Sequence, residues 1–294
     1  MPQITSPLDV SHAQLFAAGG PLPAALQTHL SNHADYQDHS VLWVRASSQE
    51  PIILQCSKNE KLITVVEANV SAHLVELSTE STMHHMILQE HAQLNVASRA
   101  LSGTVAHTLE LHEAAHSTIT VALLGETSHH LKAFIRGRNA VSDVNVLLRA
   151  SDHQRCASRT ENVFLEHSGG GQIFLRALGE HHAHLDVAGK ITIGLQGGGT
   201  DTYLTQEVLL LDPTAKVNAI PGLEIATNDV RASHSASVSR LTPEDLFYLA
   251  SRGLDEPEAR QLFLIGFLGA VAERAGSANL TRMVMEWIMG EDDR

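Results

Sequence analysis

The spacing of apolar positions changes twice along the chain. Residues 1–38 hold two short stretches of helical composition, Ala13–Ala18 and Ala24–His29, separated by the breaker Gly19-Gly20-Pro21. From Val41 apolar residues recur at every second position: Ile63/Val65, Leu94/Val96, Leu109/Leu111, Ile119/Val121/Leu123, Val144/Val146/Leu148, Ile173/Leu175, Leu185/Val187 and Ile191/Ile193/Leu195. Gly, Ser, Asn, Asp or His bounds each run. A period of two marks strands with one buried face, so residues 39–240 are predicted to be all β. Tight Asn-Gly or Asp-Gly turns are missing, which disfavours a meander of hairpins. Stacked aliphatic residues with polar corners suit a β-solenoid. A sandwich stays open, because no clean repeat period emerges.

At Leu241 the spacing becomes helical. Thr242-Pro-Glu-Asp245 is a helix start, with Thr as N-cap, Pro at the first helical position and acids in the first turn. That helix is predicted to run to a C-cap at Gly253. Asp255-Glu-Pro-Glu258 opens a second helix, which carries Leu262, Phe263, Leu264, Ile265, Phe267, Leu268 and Val271. These are too many apolar residues for one stripe, so this helix is expected to be covered on more than one side. A third spans about Asn279 to Met289 and is rich in methionine, which packs adaptably at partner surfaces. The expected organisation is a short N-terminal helical segment (1–38), a β core (39–240) and a C-terminal helical domain (241–294).

Composition narrows the function. Aromatic residues make up 4% of the 294, so the core must be aliphatic. The formal charge is −13 and no Lys/Arg run exists, which argues against nucleic acid and against an anionic membrane surface. The start of the sequence lacks the basic and apolar pattern of a secretion signal, and no apolar stretch reaches the ~20 residues of a membrane span. Cys56 and Cys156 form no C-x-x-C pair, so a reduced, cytoplasmic protein is expected.

Familiar catalytic motifs are missing from the sequence. Gly197-Gly-Gly-Thr-Asp201 lacks the Lys-Ser/Thr ending of a phosphate-binding loop. It and Gly169-Gly-Gly171 are expected at corners or close backbone contacts. No G-x-S-x-G or H-E-x-x-H occurs. Two histidine groups are candidates for metal: His182 with His184, read as sharing one side of a strand, and His107, His112 and His116 at helical spacing. Both are read first as ordinary polar residues. A third case is the strand Val230–Val238. One face carries Val230, Ala232, His234, Ala236 and Val238; the other is polar. His234 therefore stands on a small apolar face, with room for an approaching surface or ligand.

The stretch Leu209–Val230 (LLLDPTAKVNAIPGLEIATNDV) resembles the C-terminal signature of the SufB/SufD family of iron–sulfur cluster assembly proteins. Ser233-His-Ser-Ala-Ser237, Leu246-Phe-Tyr-Leu249, Ser251-Arg-Gly253, Glu258-Ala-Arg260 and Ile265-Gly-Phe267 continue it in register. The resemblance is specific over about residues 190–270. It implies a right-handed parallel β-helix with C-terminal helices. It implies a non-enzymatic role in a complex with a SufB-like protein and a SufC-like ABC ATPase, in the manner of a SufD-like member. His234 matches the family histidine at the SufB–SufD interface, where it would ligate iron or a transient cluster only with the partner. The chain alone is expected to hold no cofactor tightly. The C-terminal helices would bind SufC, through Phe263, Phe267, Met283 and Trp287. The family's Cys-Ser-His-Gly is Ala232-Ser-His-Ser235 here, its Asp-Asp pair is Asn228-Asp229, and the N-terminal helical region is shorter. Two other readings are a self-sufficient homodimeric scaffold and, more distantly, a β-helix enzyme acting on carbohydrate.

Overall fold

The computed structural model describes residues 3–4, 12–30 and 36–290. Its strands are β1 (Gln3–Ile4), β2 (Ala13–Phe16), β3 (Ser40–Val44), β4 (Ile52–Cys56), β5 (Glu60–Val66), β6 (Ser71–Ser78), β7 (Thr82–Leu88), β8 (Gln93–Ala100) and β9 (Gly103–Leu111). They continue as β10 (His116–Leu124), β11 (Thr127–Ile135), β12 (Val141–Ala150), β13 (Arg155–Phe164), β14 (Gly170–Gly179), β15 (His184–Ile193), β16 (Thr200–Leu210), β17 (Lys216–Ile225) and β18 (Val230–Arg240). The helices are α1 (Ala24–Leu30), α2 (Pro243–Ala250), α3 (Glu256–Ala272) and α4 (Ala278–Met289).

From β3 on, successive strands alternate between two sheets. Even-numbered strands run in order from β4 to β18 in one sheet, and odd-numbered strands from β17 back to β3 in the other. All of these pairings are parallel; β1 on β4 and β2 on β3 are antiparallel. Each turn of the chain thus adds one strand to each sheet, which makes a β-solenoid rather than a sandwich. Period-two alternation puts every second side chain into the lumen, and parallel register stacks those side chains in columns. One column runs Ile52, Leu74, Val96, Ile119, Val144, Ile173, Leu204 and His234. Its seven aliphatic members are at most 2% exposed. Burying each such side chain contributes about 1.5–3 kcal/mol.

The corners explain why no repeat period was visible. Asn69, His91, Ala114, Asn139, Ser168 and Gly199 all adopt positive φ at equivalent corners. The N–H of each donates to a carbonyl of the next corner along the stack: Glu90, Glu113, Arg138, His167, Gly198 and Asp229. The step between them lengthens from 22 residues (69 to 91) to 31 (168 to 199). The geometry repeats while both length and residue type drift. The two glycine triplets behave as expected: Gly199 is one of these corners, and a Cβ on Gly171 would run into the Ser142 backbone.

Three local expectations need correction. Ala13–Phe16 is a strand, not a helix: it pairs with β3, Ala13 and Leu15 pack on the luminal core, and Phe16 joins a second cluster around Trp43. Pairing and alternate burial outweigh helical composition there. Leu195 lies beyond the end of β15 and is 78% exposed, so it is not part of the strand pattern. Helix α2 stops at Ala250, and Gly253 sits two residues past its C-cap Ser251 at φ 93°. Its start is as read, with a reciprocal capping box between Thr242 and Asp245.

Helices α3 and α4 lie on the outer face of the even-numbered sheet. Leu264, Leu268, Val271, Val284, Trp287 and Ile288 form one cluster with Val75, Ala97, Ala122, Leu147 and Leu178. Polar stitches fix this seating: Arg274 donates to Asn145 and Gln172, and Arg260 donates to the Leu211 carbonyl. Covering by the sheet on one side and by α4 on another accounts for the apolar surplus of α3.

Candidate functional site

The solenoid ends on β17 and β18. Each bonds to a strand on one side only, so alternate amides of β18 face outward along the sheet edge. His234 continues the Leu204 column and so points along the luminal face, yet it is exposed because no further strand among the described residues covers it. Val230 and Ala232 still touch the core cluster. Ile225 and Val238, at inward positions of the same terminal strands, are 40% and 50% exposed. The result is a core cross-section of small and aliphatic residues left open to solvent, with one imidazole in its middle.

The chemistry inside the lumen was missed from the sequence. Glu76 on β6 projects from one sheet; His84 on β7 and His107 on β9 project from the other. Glu76 Oε2 lies 3.1 Å from His84 Nδ1 and 3.0 Å from His107 Nε2. Thr64 Oγ1 sits 2.7 Å from His84 Nε2. His107 Nδ1 lies 3.0 Å from His129 Nε2, and His129 Nδ1 lies 3.1 Å from Ser158 Oγ. Ser78 donates to Glu76 Oε1 at 3.2 Å. Glu76 is fully buried, and His84, His107 and His129 are at most 2% exposed. Burial alone would raise the Glu76 carboxyl; the electrostatic interaction and hydrogen bonds with His107 and His84 outweigh it and hold the carboxyl well below its usual range. Burial pushes His84 and His129 down, so both are neutral at neutral pH. The available signal was parity: Glu76, His84 and His107 occupy inward positions where the alternation calls for apolar residues.

The histidine groups flagged by spacing do not assemble. His182 lies in a turn and stacks on His153 at 5.0 Å, while His184 opens β15 beside Asp186. His107 is luminal, His112 is in a turn and His116 is at the exposed start of β10. The helical spacing has no meaning on strands. Both cysteines are free and buried. Burial pushes the Cys156 thiol up to about 12 and Cys56 higher still, so neither is a thiolate at neutral pH.

Beside the helices a groove of about 630 Å³ is lined by Leu209, Tyr248, Leu262, Phe263 and Phe267 among others. Phe247 and Leu262 are 76% and 52% exposed. Phe263 and Phe267 are half-buried at the groove, and Met283 is half-buried against the helix–sheet cluster. Trp287 is 3% exposed in that same cluster, so its indole is packing rather than free surface.

The profile of the "SUF system FeS cluster assembly, SufBD core domain" matches residues 29–267. The chain belongs to the SufBD family. It is 29% identical over 163 residues to the iron-sulfur cluster assembly protein SufD of Escherichia coli, covering 53% of this chain and 37% of that protein. It is 23% identical over 287 residues to the SufBD family protein slr0076 of Synechocystis, covering 85% and 62%. A 90-residue stretch is 40% identical to the SufBD family protein Rv1462 of Mycobacterium tuberculosis, covering 30% and 23%. The chain therefore spans less than two thirds of each of these relatives. The matched residues take in the solenoid from β3 to β18 and reach into α3. No helix among the described residues is long and apolar enough to cross a membrane.

Proposed function

We propose that this SufBD protein acts as a SufD-like, non-catalytic partner in cytoplasmic iron–sulfur cluster assembly, with the open end of the solenoid as its working surface. The observation that carries this reading is the continuation of a sealed core column into the exposed His234. A strand edge with free amides, a small apolar face and half-exposed aliphatics fits the matching end of another solenoid, and a SufB-like protein is the expected mate. His234 then stands at the seam. A neutral imidazole ligates iron through one nitrogen when a partner group orients the other. The cluster is cargo assembled at that seam. The groove beside α2 and α3, with Phe247, Leu262, Phe263 and Phe267, is proposed as the docking surface for a SufC-like ATPase. Its apolar lining and exposed aromatics have the composition of a recognition surface.

The test is anaerobic co-expression of the tagged chain with SufB-like and SufC-like proteins. Complex mass, iron and acid-labile sulfide are then measured for wild type and His234→Ala. The expected result is a mixed complex that loses most of its iron on the substitution while its mass is unchanged. A lone homodimer that keeps iron in both forms would replace this reading with the self-sufficient scaffold, since an edge strand can also pair with its own copy about a two-fold axis.

A further inference from the structure

We propose that Glu76, His84 and His107 form a divalent transition-metal site that ties the two sheets together inside the solenoid. Among the described residues they are the one group of three or more His, Cys, Asp or Glu whose ligand atoms all lie within 4.8 Å of one another. The site is independent of the open end and of any partner.

Four observations support it. First, the geometry is close to a coordination shell. Zinc holds nitrogen and oxygen ligands at about 2.0–2.2 Å, which sets tetrahedral ligand atoms roughly 3.4 Å apart. The contacts to Glu76 Oε2, at 3.1 and 3.0 Å, need to open by a few tenths of an ångström. Second, the outer partners fit. Ligation needs bare lone pairs on His84 Nδ1 and His107 Nε2, so each ring must carry its proton on the other nitrogen. Thr64 Oγ1 faces that nitrogen of His84, and His129 Nε2 faces that of His107. A hydroxyl and a neutral imidazole can each accept instead of donate. Ser158 and Thr160, 3.3 Å apart, let the His129 end of the chain reverse as well. Each ring N–H of the network therefore keeps an acceptor in the tautomer that binds metal.

Third, Glu76 has no packing reason to be charged. Its column reads Leu54, Glu76, Ser98, Val121, Val146 and Leu175. A carboxylate buried in such a column needs positive charge beside it, and a cation held jointly by Glu76, His84 and His107 supplies it. Fourth, the donor set is selective. Two imidazoles and a carboxylate suit Zn²⁺, Fe²⁺ or Co²⁺, and lack the thiolates that favour Cu⁺ or an iron–sulfur cluster. Three protein ligands leave one position for water.

The test uses the full chain without a histidine tag, produced in separate cultures supplied with Zn²⁺, Fe²⁺ (anaerobic) or Co²⁺. Metal present during folding removes burial as a barrier to entry. Elemental analysis and native mass spectrometry give metal per chain after dialysis against a weak chelator. The Co²⁺ protein is examined for the visible band of four-coordinate cobalt. We expect about one metal per wild-type chain, about a tenfold loss in Glu76→Gln and in His107→Gln, and full retention in His182→Ala. Wild-type protein free of stoichiometric metal from all three cultures overturns the proposal and leaves a metal-free hydrogen-bonded network. Retention in the Glu76→Gln/His107→Gln double variant with loss in His182→Ala overturns it in favour of a surface site. The wild-type stoichiometry and cobalt spectrum decide the matter even if a buried variant does not fold.

Discussion

Leu204 and His234 are neighbours in one column, one turn apart, and their environments are opposite. Leu204 is fully buried beneath the final strands; His234 points the same way and is exposed. In a solenoid, burial is conferred by the next turn rather than by the residue itself. Every interior turn is sealed by its successor, and the last one is left open. The same sequence pattern therefore makes core in the middle of the stack and an exposed face at its end.

Truncation gives the largest expected contrast. Leu204→Ala should cost about 2–5 kcal/mol, because the cavity is enclosed on all sides. His234→Ala should stay within about 0.5 kcal/mol in the isolated chain, as for other exposed substitutions. Chemical denaturation of both variants measures the difference; equal losses would mean that the end of the stack is covered.

Acid should weaken the lumen. His84 and His129 are held below their usual range by burial, so the unfolded chain binds protons that the folded lumen refuses. Stability is then full above the unfolded histidine value of about 6.5 and falls as pH drops below it, by up to about 1.4 kcal/mol per pH unit for each such group. Glu76 has the same sign at lower pH, since its depressed carboxyl stabilises the fold above an unfolded value of about 4.3 and that contribution is lost on further acidification. His129→Gln should flatten the slope between pH 6.5 and about 5. Denaturation midpoints across that range provide the check.

The smallest effect concerns the corners. Ala114 holds φ at 51°, where an L-residue is strained by about 1–2 kcal/mol. Ala114→Gly relieves that strain and loosens the unfolded chain, so a net gain of up to about 1 kcal/mol is expected. A clear loss in thermal stability would show that the Ala114 side chain contributes packing beyond its corner geometry.

Much of the fold was legible because period-two alternation and helix caps are local. The runs Ile119/Val121/Leu123 and Val144/Val146/Leu148 lie in β10 and β12, and Thr242 caps α2 where its motif placed it. The repeat was hidden because its fixed element is a backbone angle. Asn, His, Ala, Ser and Gly all occupy the same corner, and loop length grows along the stack. The site was legible only in part. His234 stood out as a lone polar residue on a small face. Glu76, His84 and His107 come from three strands in two sheets, and their convergence depends on register, which no single run of sequence states. The resemblance implied a partner role for Trp287; in this chain its indole packs in the cluster between the helices and the even-numbered sheet.

The central claim is that the last turn is a surface completed by another protein. Hydrogen–deuterium exchange of this chain, alone and with a SufB-like partner, tests it most directly. Alternate amides of residues 230–240 should exchange rapidly in the isolated chain and become protected in the complex, while β10 to β14 stay protected in both. Unchanged exchange across β17 and β18 in a verified complex would contradict the account and place the partner elsewhere on the solenoid.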